Sequence, residues 1–381
     1  MWGLSTIGTH KQMQEKRQSI PAIHELRTVI TLDNSLSSST IPLIFTESRY
    51  MTVLELRCLP IEKIPDATGD LFSLRNLSLR HSKVKMLPNS IERLSNLLTL
   101  DLFGCDIHEL PRGIVKLKNL RHLFAEKIFD LAWREFQCRS GMRIPIGLGN
   151  LPNLQTLQAL EAHDESLIQL AELRQLRSLR LWNVKGTYCR RINESLVQMR
   201  HLSNLYVSAS DENEVVLLNV LPPSLQKLKL RGRLTEGVLD ESPLVQVVGG
   251  QNLCELSLSW SQMTKDPPPS LSRLLNLTRL RLTRAYNGEQ LAFLPGWFLK
   301  LKILELIDLP NLNKLEIQHG TMVSLERLYL VNLGSMTEVP SGIEFLMPLQ
   351  RLSFQEITND FFKLLCHSAI QGERWLHTFR E

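Results

Sequence analysis

The sequence predicts an α/β solenoid, a stack of about 13–14 short structural repeats, on three observations. Leucine makes up 74 of the 381 residues, about twice its ordinary share. A leucine pattern of the form LxxLxL recurs every 22 to 34 residues along most of the chain. Within each recurrence leucine alternates with other residue types, as expected for a short strand buried on one side. In a repeat of this kind, the position of a residue within the repeat predicts its structural environment.

The repeats can be counted from the central leucine of each LxxLxL pattern, and a degenerate further unit surrounds Leu26 to Leu32. No single unit can bury its own leucines, so neighbouring units must stack. The pattern therefore predicts a leucine-rich-repeat horseshoe with one parallel β-sheet on its concave face. The thirteen central leucines are Leu54, Leu77, Leu100, Leu123, Leu157, Leu179, Leu205, Leu228, Leu256, Leu280, Leu304, Leu328 and Leu352.

Prolines mark where the first regular strands end. Pro65, Pro88 and Pro111 follow the central leucine of their units at a constant offset. Proline cannot continue a central strand, so the chain should return through a short helical or 3₁₀ segment such as SIERLSNL. We expect these segments, with loops, on the convex face.

The domain boundaries follow from where the pattern starts, breaks and stops. We predict an N-terminal flank at residues 1–22, repeats over 23–360 and a C-terminal flank at 361–381. An insertion at residues 126–149 lengthens one spacing to 34 residues. We expect it to leave the solenoid as a loop or small helix that carries Trp133 and Phe136. Those aromatic side chains either cap a break in the leucine core or contact a partner.

Composition argues against several classes of function. The formal net charge of +5 comes from 44 Lys and Arg against 39 Asp and Glu, which is too balanced to imply nucleic-acid binding. The longest apolar stretches fall well short of the ~18 residues of a spanning helix, so membrane insertion is not expected. Six scattered cysteines without a CxxC pair favour a reducing compartment over a disulfide framework.

Catalysis is not expected either, and the sequence predicts no catalytic, metal-binding or cofactor-binding residue. No glycine is followed by lysine, so the phosphate loop GxxxxGK[ST] is absent. The ten histidines are dispersed, and none has the HExxH spacing of a zinc site. An enzyme is the weakest of the candidate functions.

The concave face is where a solenoid normally binds, because its strand side chains form an extended, rigid array. From the Leu179 unit to the Leu328 unit, seven cations on that face oppose only Glu255 and Glu305. Arg, Trp and Tyr are also the residue types enriched in binding hot spots. We therefore predict a partner with an acidic surface; the alternative is that the cations only keep the strand surface soluble. The candidate binding residues are Arg180, Trp182, Tyr206, Lys227, Lys229, Arg231, Arg279, Arg281, Arg327 and Tyr329.

Longer stretches of the repeats carry a more specific resemblance. IEKIPDATGDLFSLRNLSLRHSKVKMLPNSIERLSNLLTLDL resembles the opening repeats of plant intracellular immune receptors of the coiled-coil, nucleotide-binding (NB-ARC), leucine-rich-repeat class (NLR). LRSLRLWNVKG, LPPSLQKLKLRGRL and SLERLYLVNLGSMTEVPSGIEFL resemble later repeats of that class. The resemblance covers roughly residues 23 to 360 and implies a disease-resistance recognition domain in the cytoplasm, with a nuclear or membrane-peripheral pool left open.

What the resemblance implies about function differs between the two ends. The units at Leu54 to Leu123 would regulate a nucleotide-binding module, and those from Leu179 onward would recognise a pathogen effector or a guarded host protein. The sequence carries neither a coiled-coil nor an NB-ARC module, so it is expected to sense without switching. Two other classes of leucine-rich-repeat protein are alternatives. An extracellular receptor ectodomain is disfavoured because no signal peptide is visible. The other is an intracellular scaffold of the Ras-group type that binds a signalling protein.

Overall fold

The computed structural model describes residues 4–5, 26–31, 44–46, 48–130, 135–235 and 251–356, and the statements that follow concern these residues. It divides into two compact units, Met1–Val184 and Lys185–Glu381, and each is described by itself. In both units the short strands lie side by side in chain order and run parallel, as the LxxLxL pattern predicts.

Unit 1 contains ten strands: β1 Leu4–Ser5, β2 Thr28–Thr31, β3 Val53–Leu56, β4 Asn76–Ser78, β5 Thr99–Asp101, β6 His122–Phe124, β7 Lys127–Ile128, β8 Arg139–Ser140, β9 Thr156–Glu161 and β10 Ser178–Val184. All but β7 and β8 form one parallel sheet. The degenerate unit around Leu26 to Leu32 is confirmed, because β2 pairs with β3 and places Val29 beside Leu54. Residues Leu4 and Ser5 add a two-residue strand on β2.

The prolines precede 3₁₀ helices as predicted, but they do not end the strands, which stop nine or ten residues before them. Pro65, Pro88 and Pro111 each precede a 3₁₀ helix, with φ between −63° and −69°. These helices are η1 Asp66–Asp70, η2 Asn89–Arg93 and η3 Arg112–Lys116; η4 Leu148–Asn150 and helix α1 Asp164–Leu170 follow in later repeats. The fixed φ of proline suits the residue before the first turn of each 3₁₀ helix, and the buried Ile91 and Ile114 then close the core from the far side.

Unit 2 contains nine strands: β11 Asn204–Ala209, β12 Lys227–Arg231, β13 Glu255–Ser259, β14 Arg279–Thr283, β15 Gln290–Phe293, β16 Ile303–Ile307, β17 Lys314–Ile317, β18 Arg327–Val331 and β19 Arg351–Gln355. Its connections include η5 Gly186–Tyr188, α2 Cys189–Gln198, α3 Pro268–Leu271 and η6 Ile343–Phe345. Strands β15 and β17 pair with each other in a separate sheet, which the sequence prediction of helices and loops did not include.

The strand register confirms the leucine alignment. In unit 1 Leu54, Leu77, Leu100 and Leu123 lie opposite one another on consecutive strands. In unit 2 the same holds from Leu205 through to Leu352. All thirteen central leucines are at most 5% exposed. Each neighbouring repeat therefore supplies the apolar surface that a single repeat cannot bury alone.

Asparagine side chains link neighbouring repeats at the turn before the strand. The Nδ2 group of Asn96 donates to the Phe72 carbonyl at 2.8 Å, and that of Asn119 donates to the Ser95 carbonyl at 2.9 Å. Asn276 repeats the arrangement in unit 2 with the Gln251 carbonyl at 2.6 Å. Each bond satisfies a backbone oxygen of the preceding repeat that the sheet ladder does not reach.

The insertion at residues 126–149 differs from the expected loop or small helix. Strands β7 and β8 within it form an antiparallel pair, and Cys138, Met142 and Ile144 are buried against unit 1. The sequence prediction was wrong here because the segment has its own apolar residues and packs instead of leaving the core. Phe136 is half-buried, and Trp133 lies outside the described residues.

Candidate protein-binding face

The register that stacks the leucines also aligns the residues between them. On β11 to β19 of unit 2, side chains that alternate with leucine point to the concave face. Neighbouring strands lie ~4.8 Å apart, so each position of the repeat becomes a row of side chains. The first row is Asn204, Lys227, Glu255, Arg279, Ile303, Arg327 and Arg351; the second is Tyr206, Lys229, Ser257, Arg281, Glu305, Tyr329 and Ser353.

Eight of the ten candidate residues lie in unit 2. Lys227, Arg279 and Arg327 belong to the first row, and Arg231 lies near the strand ends in a third row. The second row contains Tyr206, Lys229, Arg281 and Tyr329. Arg180 and Trp182 lie on β10 of unit 1, so they form a separate group.

Two candidates are buried, which corrects the expectation that all ten side chains face a partner. Trp182 is only 3% exposed. It lies next to a shift in the pairing of β10 with β9, where β9 contributes one extra residue between Gln158 and Leu160. Arg231 is only 4% exposed. Its guanidinium carbon lies 5.7 Å from the centre of the Trp260 ring, within range of a cation–π contact.

Glu305 organises the middle of the face by accepting hydrogen bonds from two arginines. Arg279 donates through Nε and Nη2 at 2.9 and 3.0 Å, and Arg281 donates through the same atoms at 3.0 and 2.6 Å. Burial raises the pKa of Glu305, but the bonds from the two guanidinium groups outweigh it and the net pKa is lowered. The pKa of Arg279 is raised, mainly by its hydrogen bond to Glu305.

The expectation that carboxylates scarcely neutralise these cations is therefore wrong for part of the face. Lys227 Nζ also lies 2.6 Å from Glu255 Oε1. The pairs leave donor capacity, because the side chains of Arg279 and Arg281 remain 40% and 41% exposed. Bidentate arginines held in place by a carboxylate are pre-organised to donate further hydrogen bonds to an incoming acid.

Arg180 in unit 1 has a different environment. Its Nη1 lies 2.9 Å from both carboxylate oxygens of Glu126, a residue of the insertion that is 0% exposed. Arg139 approaches the same carboxylate at 3.5 Å. The Arg180 guanidinium thus compensates a buried charge, a structural task that the sequence did not reveal because the two residues lie 54 positions apart.

Several residues beside the face were missed. Arg351 extends the first row, and its guanidinium carbon lies 5.6 Å from the centre of the Tyr329 ring. Trp260, Arg284, Asp308 and Asn332 follow successive strands and share a positive φ of 48° to 60°. Arg284 pairs with Asp308 and lies 4.4 Å from the centre of the Trp260 ring. Their common 24-residue spacing was available in the sequence, but large side chains rarely adopt that backbone conformation.

This arrangement can bind through charge and hydrogen bonds. Across the described ranges no cluster of three or more His, Cys, Asp or Glu side chains is placed to hold a metal ion. Within the same part of the chain, no helix has the length and apolar character needed to cross a membrane.

Comparison with known proteins identifies the family to which the chain belongs. The family model described as "Leucine-rich repeat region" matches residues 25–360. The chain therefore belongs to the leucine-rich-repeat family, whose domains are typically non-catalytic protein-interaction modules. A leucine-rich-repeat protein of Leptospira interrogans has a similar solved structure, with a TM-score of 0.52 and 19% identity over 95% of this chain and 94% of that one. At that identity the similarity shows the fold alone.

Similar sequences connect the chain with plant defence. It is 31% identical over 192 residues to the disease resistance protein RPM1 of Arabidopsis thaliana, and 28% identical over 172 residues to a putative disease resistance protein of the same plant. These alignments cover 50% and 45% of this chain but only 19% and 17% of the relatives. The chain is thus a leucine-rich-repeat region related to plant disease resistance proteins and spans about a fifth of their length.

Proposed function

We propose that the concave face of unit 2 binds an acidic surface of a protein partner in a plant immune response. The partner would be a pathogen effector, a guarded host protein or an NB-ARC module. The observation that carries the proposal is the alignment of Lys227, Arg279, Arg327 and Arg351 in one row, beside Lys229 and Arg281 in the next. The relationship to disease resistance proteins supports the immune setting.

The expected contribution of the face is fast and selective association. A positive surface raises the rate at which a negatively charged partner arrives, and buried polar contacts then set the lifetime of the complex. Tyr206 and Tyr329 lie in the same row as Lys229 and Arg281 and add amphipathic contact area of the type found at hot spots. An intracellular location is part of this proposal. Within the described residues Cys58, Cys105, Cys138, Cys189 and Cys254 form no disulfide, which supports a reducing compartment.

The test reverses exposed cations in rows one and two. The triple variant Lys227→Glu, Lys229→Glu and Arg327→Glu should weaken binding at least tenfold in a titration against candidate effectors and NB-ARC modules, because the partner would then meet like charge. Arg231 is left out because its burial makes reversal a test of folding. Raising the salt concentration from about 50 to about 300 mM should weaken the parent complex in the same direction.

A matched control separates the face from net charge. Arg200, Arg273 and Lys314 are also exposed cations of unit 2, and they lie outside the two rows. Reversing these three to Glu changes the net charge equally and should leave affinity nearly unchanged. Conversely, Glu305→Gln removes a neutralising carboxylate and should speed association. If the first triple variant binds an identified partner with the parent's affinity and salt dependence, the cations only solubilise the surface.

A further inference from the structure

The turn that precedes the strand is closed by the same backbone hydrogen bond in eleven of the described repeats. The first residue of the turn has a positive φ in two of them, at Phe298 and Met322. The fourth residue of the turn donates its backbone N–H to the carbonyl of the first, as Leu97 does to Leu94 and Leu277 to Leu274. The second residue of the turn points outward and is exposed. The eleven second residues are Phe72, Ser95, Lys118, Pro152, Arg174, Arg200, Pro223, Leu275, Leu299, Val323 and Met347.

The last four of these positions are apolar and belong to consecutive repeats of unit 2. Leu275, Leu299, Val323 and Met347 are 76%, 48%, 49% and 87% exposed. Equivalent turns elsewhere carry Ser95, Lys118, Arg174 or Arg200, so the backbone at this position does not need an apolar side chain. Four exposed apolar residues in one row indicate an interaction site. We call this row the turn ridge.

Hydrogen bonds one and three positions after the ridge residues join the neighbouring repeats. Between the first two repeats, Lys300 Nζ donates to Asn276 Oδ1 at 2.6 Å. The backbone ladder then joins Lys302 to Thr278, Glu326 to Lys302 and Gln350 to Glu326 at 2.8 to 2.9 Å. Because this ladder lies three residues from the ridge, successive ridge side chains are spaced close to the ~4.8 Å of adjacent strands.

That spacing fits a helix better than an extended chain. One turn of an α-helix rises ~5.4 Å, so a helix lying along the ridge presents one apolar side chain per repeat over about three turns. Residues on one side of an extended strand recur every ~6.6 Å and lose register after two repeats. The single file of apolar residues, with Asn276, Lys300 and Ser324 along one side, is also narrow for a membrane surface.

The charges around the ridge specify the polar side of its partner. Within four positions of the ridge residues the sequence places six cations but only two carboxylates, Glu326 and Glu344; the cations are Arg273, Arg279, Lys300, Lys302, Arg327 and Arg351. One of the carboxylates, Glu326, pairs with Lys302 at 2.9 Å. We propose that the turn ridge binds an amphipathic α-helix of a protein partner whose apolar stripe is flanked by Asp and Glu. Three of the six cations, Arg279, Arg327 and Arg351, also belong to the first row of the concave face, so the ridge adjoins that row.

The test uses a synthetic helical peptide of about 20 residues, with leucine at every third or fourth position and glutamate on its polar side. Fluorescence anisotropy with the whole chain should show binding, and the double variant Leu299→Lys and Val323→Ser should weaken it at least tenfold. Both replacements reproduce residues that equivalent turns carry, Lys118 and Ser95, so circular dichroism should show an unchanged fold. Phe72→Ser removes an isolated apolar residue from the equivalent turn of unit 1 and should leave binding unchanged.

Two further peptides and two further measurements distinguish an acidic helix from the other possible partners of the turn ridge. A peptide with lysine in place of glutamate, and one with the same composition in scrambled order, should each bind at least tenfold more weakly. The proposal is overturned if the acidic peptide does not bind, binds the double variant equally well, or binds no better than the lysine peptide. It is also overturned if the double variant instead abolishes self-association in sedimentation or binding to phosphatidylserine vesicles, because the ridge would then join two copies or contact a membrane.

Discussion

The concave surfaces of the two units share one backbone plan and differ in chemistry. From β3 to β10 of unit 1 the positions that alternate with leucine hold mainly small or neutral residues, with Glu55, Asp101, Glu161 and Arg180 as the charges. The corresponding positions of unit 2, from β11 to β19, hold six cations that reach the surface and two carboxylates, while a seventh cation, Arg231, is buried. The leucines determine the positions of these side chains but not their residue types. The binding residues can therefore differ from repeat to repeat with little effect on the stability of the fold.

The connections between strands show the same separation. Unit 1 returns through 3₁₀ helices after Pro65, Pro88 and Pro111, whereas unit 2 uses α2, α3 and the β15–β17 pair. Strand register is maintained from β3 to β6 across the 3₁₀ helices, and from β13 to β18 across α3 and the β15–β17 pair. The leucine ladder, and not any particular convex element, therefore defines the fold.

The largest expected effect comes from breaking that ladder. Leu228→Asp places a carboxylate where the side chain is 0% exposed, and an unpaired buried charge costs several kcal/mol. Neighbouring repeats of unit 2 should unfold, with loss of circular dichroism and rapid proteolysis. Leu100→Asp, also 0% exposed, should do the same to unit 1.

The positions of the first protease cuts in these two variants show whether the units unfold independently. If each unit has its own cooperative core, the first cuts in each variant should fall within the unit that carries the substitution. A Leu228→Asp protein as resistant to protease as the parent would refute the register described for β12.

Replacing each of the two carboxylates that bind arginines should lower the stability of the fold by an intermediate amount, and by different amounts in the two units. Glu126 in unit 1 is 0% exposed and compensates Arg180 and Arg139, so Glu126→Gln should cost about 3 kcal/mol. Glu305 in unit 2 is also buried, at 5% exposed, but both arginines that bind it are 40% and 41% exposed and can be solvated by water, whereas Arg139 beside Glu126 is 14% exposed. Glu305→Gln should therefore cost only about 1 kcal/mol.

Urea unfolding of both variants measures the difference. Because the pKa of Glu305 is lowered on folding, its contribution to stability is present above its unfolded pKa and is lost as the pH falls through the folded value. The parent and Glu305→Gln should thus converge in stability toward low pH. Equal costs for the two substitutions at neutral pH would contradict the assigned difference in the exposure of the arginines.

The sequence could predict the strands because two periods coincide in it. Alternation at every second residue marks which side of a strand is buried, and the 23- or 24-residue spacing places those strands in register. The 3₁₀ helices after Pro65, Pro88 and Pro111 follow from the chemistry of a single residue. These features are local or periodic, so they can be predicted without knowledge of the tertiary structure.

The candidate site could be predicted only in outline. Its rows follow from the repeat, but the register shift next to Trp182 depends on an extra residue in β9, and the pairing of Glu126 with Arg180 depends on the insertion. Both arise where the repeat is interrupted. The turn ridge was present in the sequence as an apolar residue every 24 positions, yet only the backbone turns show that those positions are equivalent and exposed.

The smallest expected effect concerns a carboxyl group that contrasts with Glu126. Asp266 in unit 2 is partly buried, its Oδ1 atom has no hydrogen-bond partner, and burial raises its pKa from 3.8 to about 6. Between these two values the folded chain holds a proton that the unfolded chain releases. Stability contributed by this group therefore falls as the pH rises, and the full penalty is present above about 6.

Asp266→Asn removes that titration while keeping a side chain of similar size. At about pH 7.5 the variant should be more stable than the parent by about 1 kcal/mol, after allowance for the partial exposure of the carboxyl, or a few degrees in melting temperature. At about pH 4 the two should unfold at nearly the same temperature, because Asp266 is then protonated in the folded chain. Thermal unfolding at both pH values measures the difference. A gap that is the same at both would show that Asp266 titrates normally and that the loop between β13 and α3 leaves it solvated.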